Sequence, residues 1–309
     1  MRALLRAAAG RPLFAAAVAI MLLLVVVALF APVIARDGPY EAHFADALQG
    51  PGTTYWLGTD FNGRDIFSRL VYGTQVTVLA GFGAVILMTL LALLIGLTSG
   101  YAGGWADLLL QRVVDAWQAL PPIFLILTLV AVLNPGGGTA GFFGLGRGPD
   151  LGPNPAAGEW PWHVFPRTTI IIAALALVLA GGASRIVRAA VIEARAQPYV
   201  GAAAALGASP TWIVRRHVLP AIAPVLAVYA SAQLGVAVVA EATVTFLGQG
   251  VAGYPTWGDM LSGQARALAP RHPHLIVFPA LALVVTVFAA NALGDGIRDL
   301  LDPRLRAQR

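Results

Sequence analysis

No cysteine occurs among the 309 residues of the chain. That excludes disulfides, thiolate-ligated zinc, iron–sulfur clusters and thiol catalysis. Lysine is absent as well, so all twenty basic residues are Arg. A standard phosphate-binding loop relies on a Lys to reach the phosphates, and this chain has none to offer. Charge of either sign is scarce: charged residues make up 11% of the chain, against 58% hydrophobic ones. The apolar runs approach the roughly 20 residues that a hydrocarbon core of about 30 Å demands. A soluble core does not explain runs of that length, so the chain reads as a membrane protein. The Arg-only basic set, with the load of Ala, Gly and Pro, reads as a compositional habit rather than as a mechanism.

Six spans are expected, at 13–35, 74–100, 108–133, 168–185, 221–247 and 274–294. An even number puts both termini on one side of the bilayer. Arg2, Arg6 and Arg11 precede the first span, Arg185, Arg188, Arg195, Arg215 and Arg216 lie between the fourth and fifth, and Arg298, Arg304, Arg306 and Arg309 follow the sixth. The opposite loops carry fewer Arg over more residues, and hold many of the acids. The positive-inside rule therefore places both termini and the 186–220 connection in the cytoplasm. The first span has a basic start like a secretory signal, but its apolar run exceeds the usual 7–15 residues, so it is expected to remain as a helix.

Between the fourth and fifth spans lies Tyr199 to Pro220, YVGAAAALGASPTWIVRRHVLP. Pro198 suits the first turn of a helix, Tyr199, Ala202, Ala203 and Leu206 share one face, and Gly207 can take a left-handed stop. A second helix then starts at Ser209 as N-cap with Pro210 in first position, and Leu219-Pro220 opens the fifth span. From spacing alone, two readings stand: a hairpin docked in a partner's groove, or an interfacial helix lying on the lipid.

This segment resembles the "EAA" loop of binding-protein-dependent ABC importer permeases: Glu-Ala-Ala, three residues, Gly, nine residues, Ile, any residue, Leu-Pro. Ala202, Ala203, Gly207, Leu219 and Pro220 fall in register, whereas Gly201 stands where Glu is usual and His217 where Ile is usual. Further stretches look like blocks of the same family in family order: WLGTDFNGRDIFSRLVYG at 56–73, SGYAGGWADLLLQRVVDAWQALP at 99–121, EATVTFLGQGV at 241–251, PTWGDML at 255–261 and NALGDGIRDLLDPRLR at 291–306. The chain is most similar to the C-type permease subunit of dipeptide, oligopeptide and nickel importers.

The resemblance implies an all-α polytopic protein of type I ABC importer permease architecture, in a bacterial cytoplasmic (inner) membrane. It implies a second homologous permease completing the pore, two ATPase subunits (or one fused chain) beneath it, and an extracytoplasmic substrate-binding protein that delivers cargo. Nucleic acid has no part in such a system. This chain would bind no cofactor or metal, ATP and Mg being held by the ATPases, and would catalyse no covalent chemistry. Residues Tyr199, Ala202, Ala203, Leu206, Gly207, Ala208, Ser209 and Pro220 would form the ATPase-coupling hairpin. Peptides are the expected cargo, with nickel or another small solute of the same branch as the alternative. The expected organisation is an N-terminal helix with an extracytoplasmic segment at 1–72, a five-helix core at 73–298 containing the hairpin at 186–220, and a cytoplasmic tail at 299–309.

Ionisable groups inside spans default to functional hypotheses because they are costly there. Glu241, in the outer half of the fifth span, could line the path or brace helices near an outer gate, and bracing is favoured. Arg112 and Asp115 stand at i, i+3 and are expected to pair on one helix face; Asp295 and Arg298 repeat that spacing. Asp299, Asp302 and Arg304 belong to a tail that either contacts the ATPase or is solvated. In the outer segment, Ile66, Phe67, Leu70 and Val71 are expected on one face of a short helix, with Arg64, Asp65, Ser68 and Arg69 on the other, lying at the membrane surface or on an adjacent permease. Pro121-Pro122 should break the ladder of the third span, and Gly96, Gly100 and Gly104 should allow close helix approach.

Other chemistry finds little support. A literal GxGxxG at Gly136, Gly138 and Gly141 follows Asn134-Pro135 rather than a strand, so it reads as an irregular outer loop, ending at the interfacial Trp160-Pro161-Trp162. HExxH and GxSxG are absent, and His272 and His274 flank a proline in an outer loop, where solvated or interfacial His is the expected reading ahead of a metal-binding pair. A self-sufficient channel or ion-driven transporter is the reading of a different class; it would call for more ionisable groups in the spans or an inverted repeat, and neither is evident.

Overall fold

The structure is a computed structural model that describes residues 11–133, 164–250 and 254–301; for 164–167 only the backbone is described. The GxGxxG stretch, the Trp160-Pro161-Trp162 anchor, Asp302 and Arg304 lie outside the described residues. Every long element is a helix, as a bilayer requires of a chain that must satisfy its backbone polar groups internally. In order these are α1 Pro12–Leu29, α2 Ala31–Ile34, α3 Ile66–Ala102, α4 Gly104–Gln118, α5 Pro122–Leu133, α6 Val164–Arg195, α7 Pro198–Ala205, α8 Pro210–Ile213, α9 Leu219–Val244, α10 Trp257–Met260, α11 Gly263–Leu268 and α12 His274–Leu301. Among the described residues five continuous helical stretches are long and apolar enough to cross a membrane.

The sixth expected span departs from a straight crossing. Its two parts, α4 and α5, meet at 88°. The cause is local: Pro121 and Pro122 offer no backbone N–H, and the chain leaves the helix at 119–121 before Phe124 and Leu125 both donate to the carbonyl of Pro121. α4 and α5 therefore do not form one straight crossing.

Glycine and alanine decide how the bundle packs. α3, which at 37 residues is about 55 Å long, lies chiefly against α6. A Cβ added at Gly96 would come within 2.6 Å of both the Ser184 carbonyl and Val187, and one at Gly100 within 2.9 Å of the Arg188 carbonyl. The close approach expected of this series therefore occurs at its first two members. Gly104 instead takes a positive φ of 56° where α4 begins, with open space around it. On the facing side, Ala176, Ala180 and Ala183 of α6 are buried with Met88 and Ala92 of α3. α9 and α12 repeat the device, the Gly294 position facing the backbone of Ala232 at 3.3 Å. Small residues suit a membrane interior, where lipid tails are as apolar as Leu and close van der Waals packing carries association. The large residues point outward: Leu90, Leu94, Val284 and Phe288 are exposed.

The Arg64–Val71 stretch differs from the short surface helix expected of it. Residues from Ile66 onward are the first turns of α3, so the 72/73 boundary falls inside one helix. Asp65 caps that helix, accepting from the backbone N–H and the hydroxyl of Ser68, and Ser68 Oγ in turn accepts from the N–H groups of Arg36 and Asp37. Arg69 is buried at 7% exposure, 3.7 Å from Asp60 and 3.6 Å from Asp259. Its charge is neutralised within the chain rather than presented to a lipid surface. The hairpin formed by α7 and α8 lies at one end of the bundle, and these loops lie at the far end.

Candidate functional site

α7 and α8 form a tight turn-linked pair immediately after α6. Pro198 occupies the first turn of α7 with Gln197 extended before it. The helix stops at Gly207, whose φ of 83° few other residues adopt without strain. Gly207 N–H donates to the Ala204 carbonyl and Ala208 N–H to that of Ala203, which occupies two otherwise orphaned acceptors. Ser209 Oγ accepts from the N–H of Trp212 at 3.3 Å and starts α8, with Pro210 at its first position. Beyond this point the chain corrects one expectation. Leu219-Pro220 does not open a separate helix: the helix continues through a π-turn at Val214–Val218 into α9, so Pro210 to Gln249 form one continuous helical stretch.

The hairpin has two faces. Val200, Ile213 and Val218 are buried in one cluster with Val187, Val191 and Ala194 of α6, and Ala203 and Ala208 pack at its edge. On the other face Tyr199, Ala202, Leu206, Trp212 and Pro220 are exposed, and Leu206 reaches 89%. His217 sits between two rings, 5.5 Å from Tyr199 and 5.1 Å from Trp212, so it ties the start of α7 to α8. At Gly201 an added Cβ would meet nothing within 4 Å. A longer residue would fit there without disturbing the chain, and Gly is no packing requirement. The base is held by Arg195, which donates to the Tyr101 carbonyl at 2.6 Å and stacks on the Tyr101 ring.

Sequence reasoning missed the anchoring residues Val200 and Val218 and the role of His217. Their apolar character carried a signal, but which face turns inward depends on α6, which lies outside the motif.

The charged residues are distributed differently from expectation. Asp115 pairs with Arg185 of α6 at 2.7 Å, not with Arg112, and Arg112 belongs to none of the ion pairs among the described residues. On α4 the side chain three positions away points elsewhere, whereas α6 crosses next to Asp115. Asp107 receives both Nε and Nη2 of Arg188, at 2.6 and 2.5 Å, and also accepts from Ser99. A forked pair of this kind fixes orientation better than a single contact. Asp299 pairs with Arg11 at 2.9 Å, which joins the two ends of the described chain instead of leaving Asp299 free.

Glu241 is fully buried on α9. Its Oε2 accepts from Thr77 Oγ1 of α3 at 3.4 Å, while Oε1 is buried with no hydrogen-bond partner. Trp117 Nε1 at the α4–α5 bend is another buried orphan, as are Arg64 Nε and Asp65 Oδ1 at the far end. An unmade bond of this kind costs about 1–3 kcal/mol, so each is a place where packing alone does not account for the residue. His274 lies 3.3 Å from the Thr59 carbonyl, with its ring edge-on to His272.

These features define a helical membrane protein that crosses the bilayer repeatedly and projects a short helical pair, apolar on its free face, from one end of the bundle. The chain belongs to the family of binding-protein-dependent transport system inner membrane components, whose pattern matches residues 92–307. It is similar to the glutathione transport system permease protein GsiD of Pectobacterium atrosepticum, 32% identical over 93% of this chain and 85% of that protein. It is 33% identical to the dipeptide transport system permease protein DppC of Alkalihalophilus pseudofirmus, over 92% of this chain and 83% of that one. The GsiD protein of Escherichia coli O6:K15:H31 is 36% identical over 93% and 84%. The chain is therefore an ABC importer permease with the type I architecture, an integral protein of the inner membrane.

Proposed function

We propose that this chain forms half of the translocation pathway of an ATP-driven peptide importer, and that the α7–α8 hairpin is the element through which ATPase subunits move it. One observation carries this reading: an apolar residue at the tip, Leu206, is 89% exposed on a hairpin whose opposite face is packed to the rigid end of α6. An exposed apolar tip on a firmly based support suits a protein groove. The small residue at Ala202 permits close approach of a partner's backbone. The hairpin end, with both termini, faces the cytoplasm, in keeping with the Arg distribution. A second, homologous permease completes the pore, two ATPase subunits bind and hydrolyse ATP with Mg, and an extracytoplasmic binding protein delivers cargo to the far end. Dipeptide and glutathione in the names of the relatives support short peptides as cargo.

ATP binding shifts such a pore between outward-facing and inward-facing states, and a rigid hairpin transmits the difference. Glu241 acts as a brace between α9 and α3 through Thr77 near the far-end gate.

The test begins with a C-terminal tag and purification in mild detergent. A second permease and ATPases should co-purify in stoichiometric amounts. In that complex Ala202→Glu or Gly207→Pro should abolish cargo-stimulated ATPase activity. Recovery of this chain alone, or full stimulation in an intact mutant complex, would overturn the reading.

A further inference from the structure

At the bend between α4 and α5 the bundle holds a cavity of about 300 Å³, lined by Asp115, Trp117, Gln118, Pro122, Val178 and Arg185. That is the lower end of the range of about 300–1,000 Å³ typical of small-ligand sites. The lining is rich in polar groups. Trp117 brings a buried N–H with no partner, Gln118 brings an amide, and the Asp115–Arg185 pair at the rim offers one charge of each sign. Polar side chains at such a place in a membrane bundle mark a path more often than a packed core.

Beneath Trp117 and Gln118 lie two glycines of α6. A Cβ at Gly181 would come within 2.5 Å of Gln118 Nε2 and 2.7 Å of Trp117 Nε1, and one at Gly182 would lie 3.4 Å from the Tyr229 hydroxyl. The bend therefore rests its two polar side chains directly on the α6 backbone, and only glycine at 181 leaves room. The seat is also connected to the hairpin. α6 carries the glycines, ends at Arg195 and leads through two residues into α7, while Arg188 of the same helix grips the other end of α4 through Asp107. Moving the hairpin moves the seat, and the proline-broken 119–121 segment is where α4 and α5 can change angle.

We propose that this bend is the hairpin-end constriction of the cargo path, with Trp117 and Gln118 seated on Gly181 as the closed position. The cargo that this lining fits is a short zwitterionic peptide: the indole N–H and the Gln118 amide donate to its carbonyls, and Arg185 and Asp115 meet its carboxylate and ammonium ends. The inference rests on the importer reading above.

The absence of native cysteine makes a direct test possible. Gln118→Cys, in the complete complex reconstituted in nanodiscs, is labelled with a water-soluble maleimide, without nucleotide and with ATP plus orthovanadate. The labelling rate at 118 should differ at least about tenfold between the two states, the change expected when an equilibrium shifts by one order of magnitude. A di- and tripeptide fraction of a casein digest, supplied with the binding protein, should slow it. Equal rates at 118 in both states, or no effect of the peptides, would overturn the proposal. Trp117→Cys gives the same readout if Gln118→Cys fails to assemble. Gly201→Cys at the open hairpin position separates the two levels: protection there by the ATPases with an insensitive position 118 removes the constriction alone, whereas no protection at 201 removes the importer reading itself.

Discussion

The two ends of this bundle are built on opposite principles. The far end buries charge: Arg69 lies between Asp60 and Asp259, Tyr254 donates to Gln75, and Gln75 Nε2 donates to the Ala28 carbonyl at 2.9 Å. The hairpin end exposes apolar surface: Leu206, Tyr199 and Trp212 face outward while a thin layer of Val200, Ile213 and Val218 holds them. A polar network of this kind fixes one arrangement of the loops, because an alternative would strand more buried groups than the Arg64 Nε and Asp65 Oδ1 already left without partners. An exposed apolar tip carries no such penalty. The far end is thus closed on itself, whereas the hairpin end leaves apolar side chains uncovered.

Substitutions that exchange these properties should have graded effects. The largest is expected at Arg69: Arg69→Leu leaves Asp60 buried without its partner, a loss of about 3–5 kcal/mol. Denaturant titration of the purified protein in detergent should show it, and an unchanged midpoint would mean that the far end does not depend on that cluster. At the hairpin, Leu206→Asp should leave the midpoint unchanged while cargo-stimulated ATPase activity falls to the basal rate. A shift in the midpoint instead would show that Leu206 serves packing. Ile213→Val removes one methylene from the anchoring layer and should cost about 1 kcal/mol, with a proportionate gain in hydrogen exchange over 198–213.

The smallest effect concerns Asp37 in the far-end loop. Burial, then the neighbouring charges of Asp65 and Glu41, push its carboxyl above the ordinary carboxylate range. A raised folded-state value means that the folded protein holds this proton more tightly than the unfolded chain. The carboxyl therefore disfavours folding as pH rises from the ordinary carboxylate range through the raised value, and the effect is constant above it. Asp37→Asn should stabilise the protein at neutral pH and change nothing in acid, below the ordinary range. A gain of equal size at both extremes would assign the effect to packing rather than to charge.

The same contrast explains which parts of the molecule were readable in advance. Local backbone chemistry was: Pro198, Gly207, Ser209 and Pro210 each act within a turn of their own position, and the hairpin stop and start stand where those residues require them. Pro121-Pro122 likewise forecast a break, though not its 88° angle, which depends on how α4 lies against α6. Pairings over long sequence distances were not readable. Arg112 and Asp115 satisfied a helical spacing rule, yet Asp115 chose Arg185, seventy positions away. Arg69 looked like the polar face of a surface helix until the 257–260 turn covered it.

Apolar run length, the absence of Lys and Cys, and the turn-forming residues settled by themselves that this chain is a helical membrane protein with a hairpin between two spans and without a Walker phosphate site or thiol chemistry. Those properties follow from solvent transfer and from dihedral preferences, which act residue by residue. Tertiary structure alone decided which hairpin face is buried, that Glu241 meets Thr77, and that Trp117 and Gln118 rest on Gly181. Each of those depends on two helices meeting, and where they meet is set by the summed fit of small residues along their whole length.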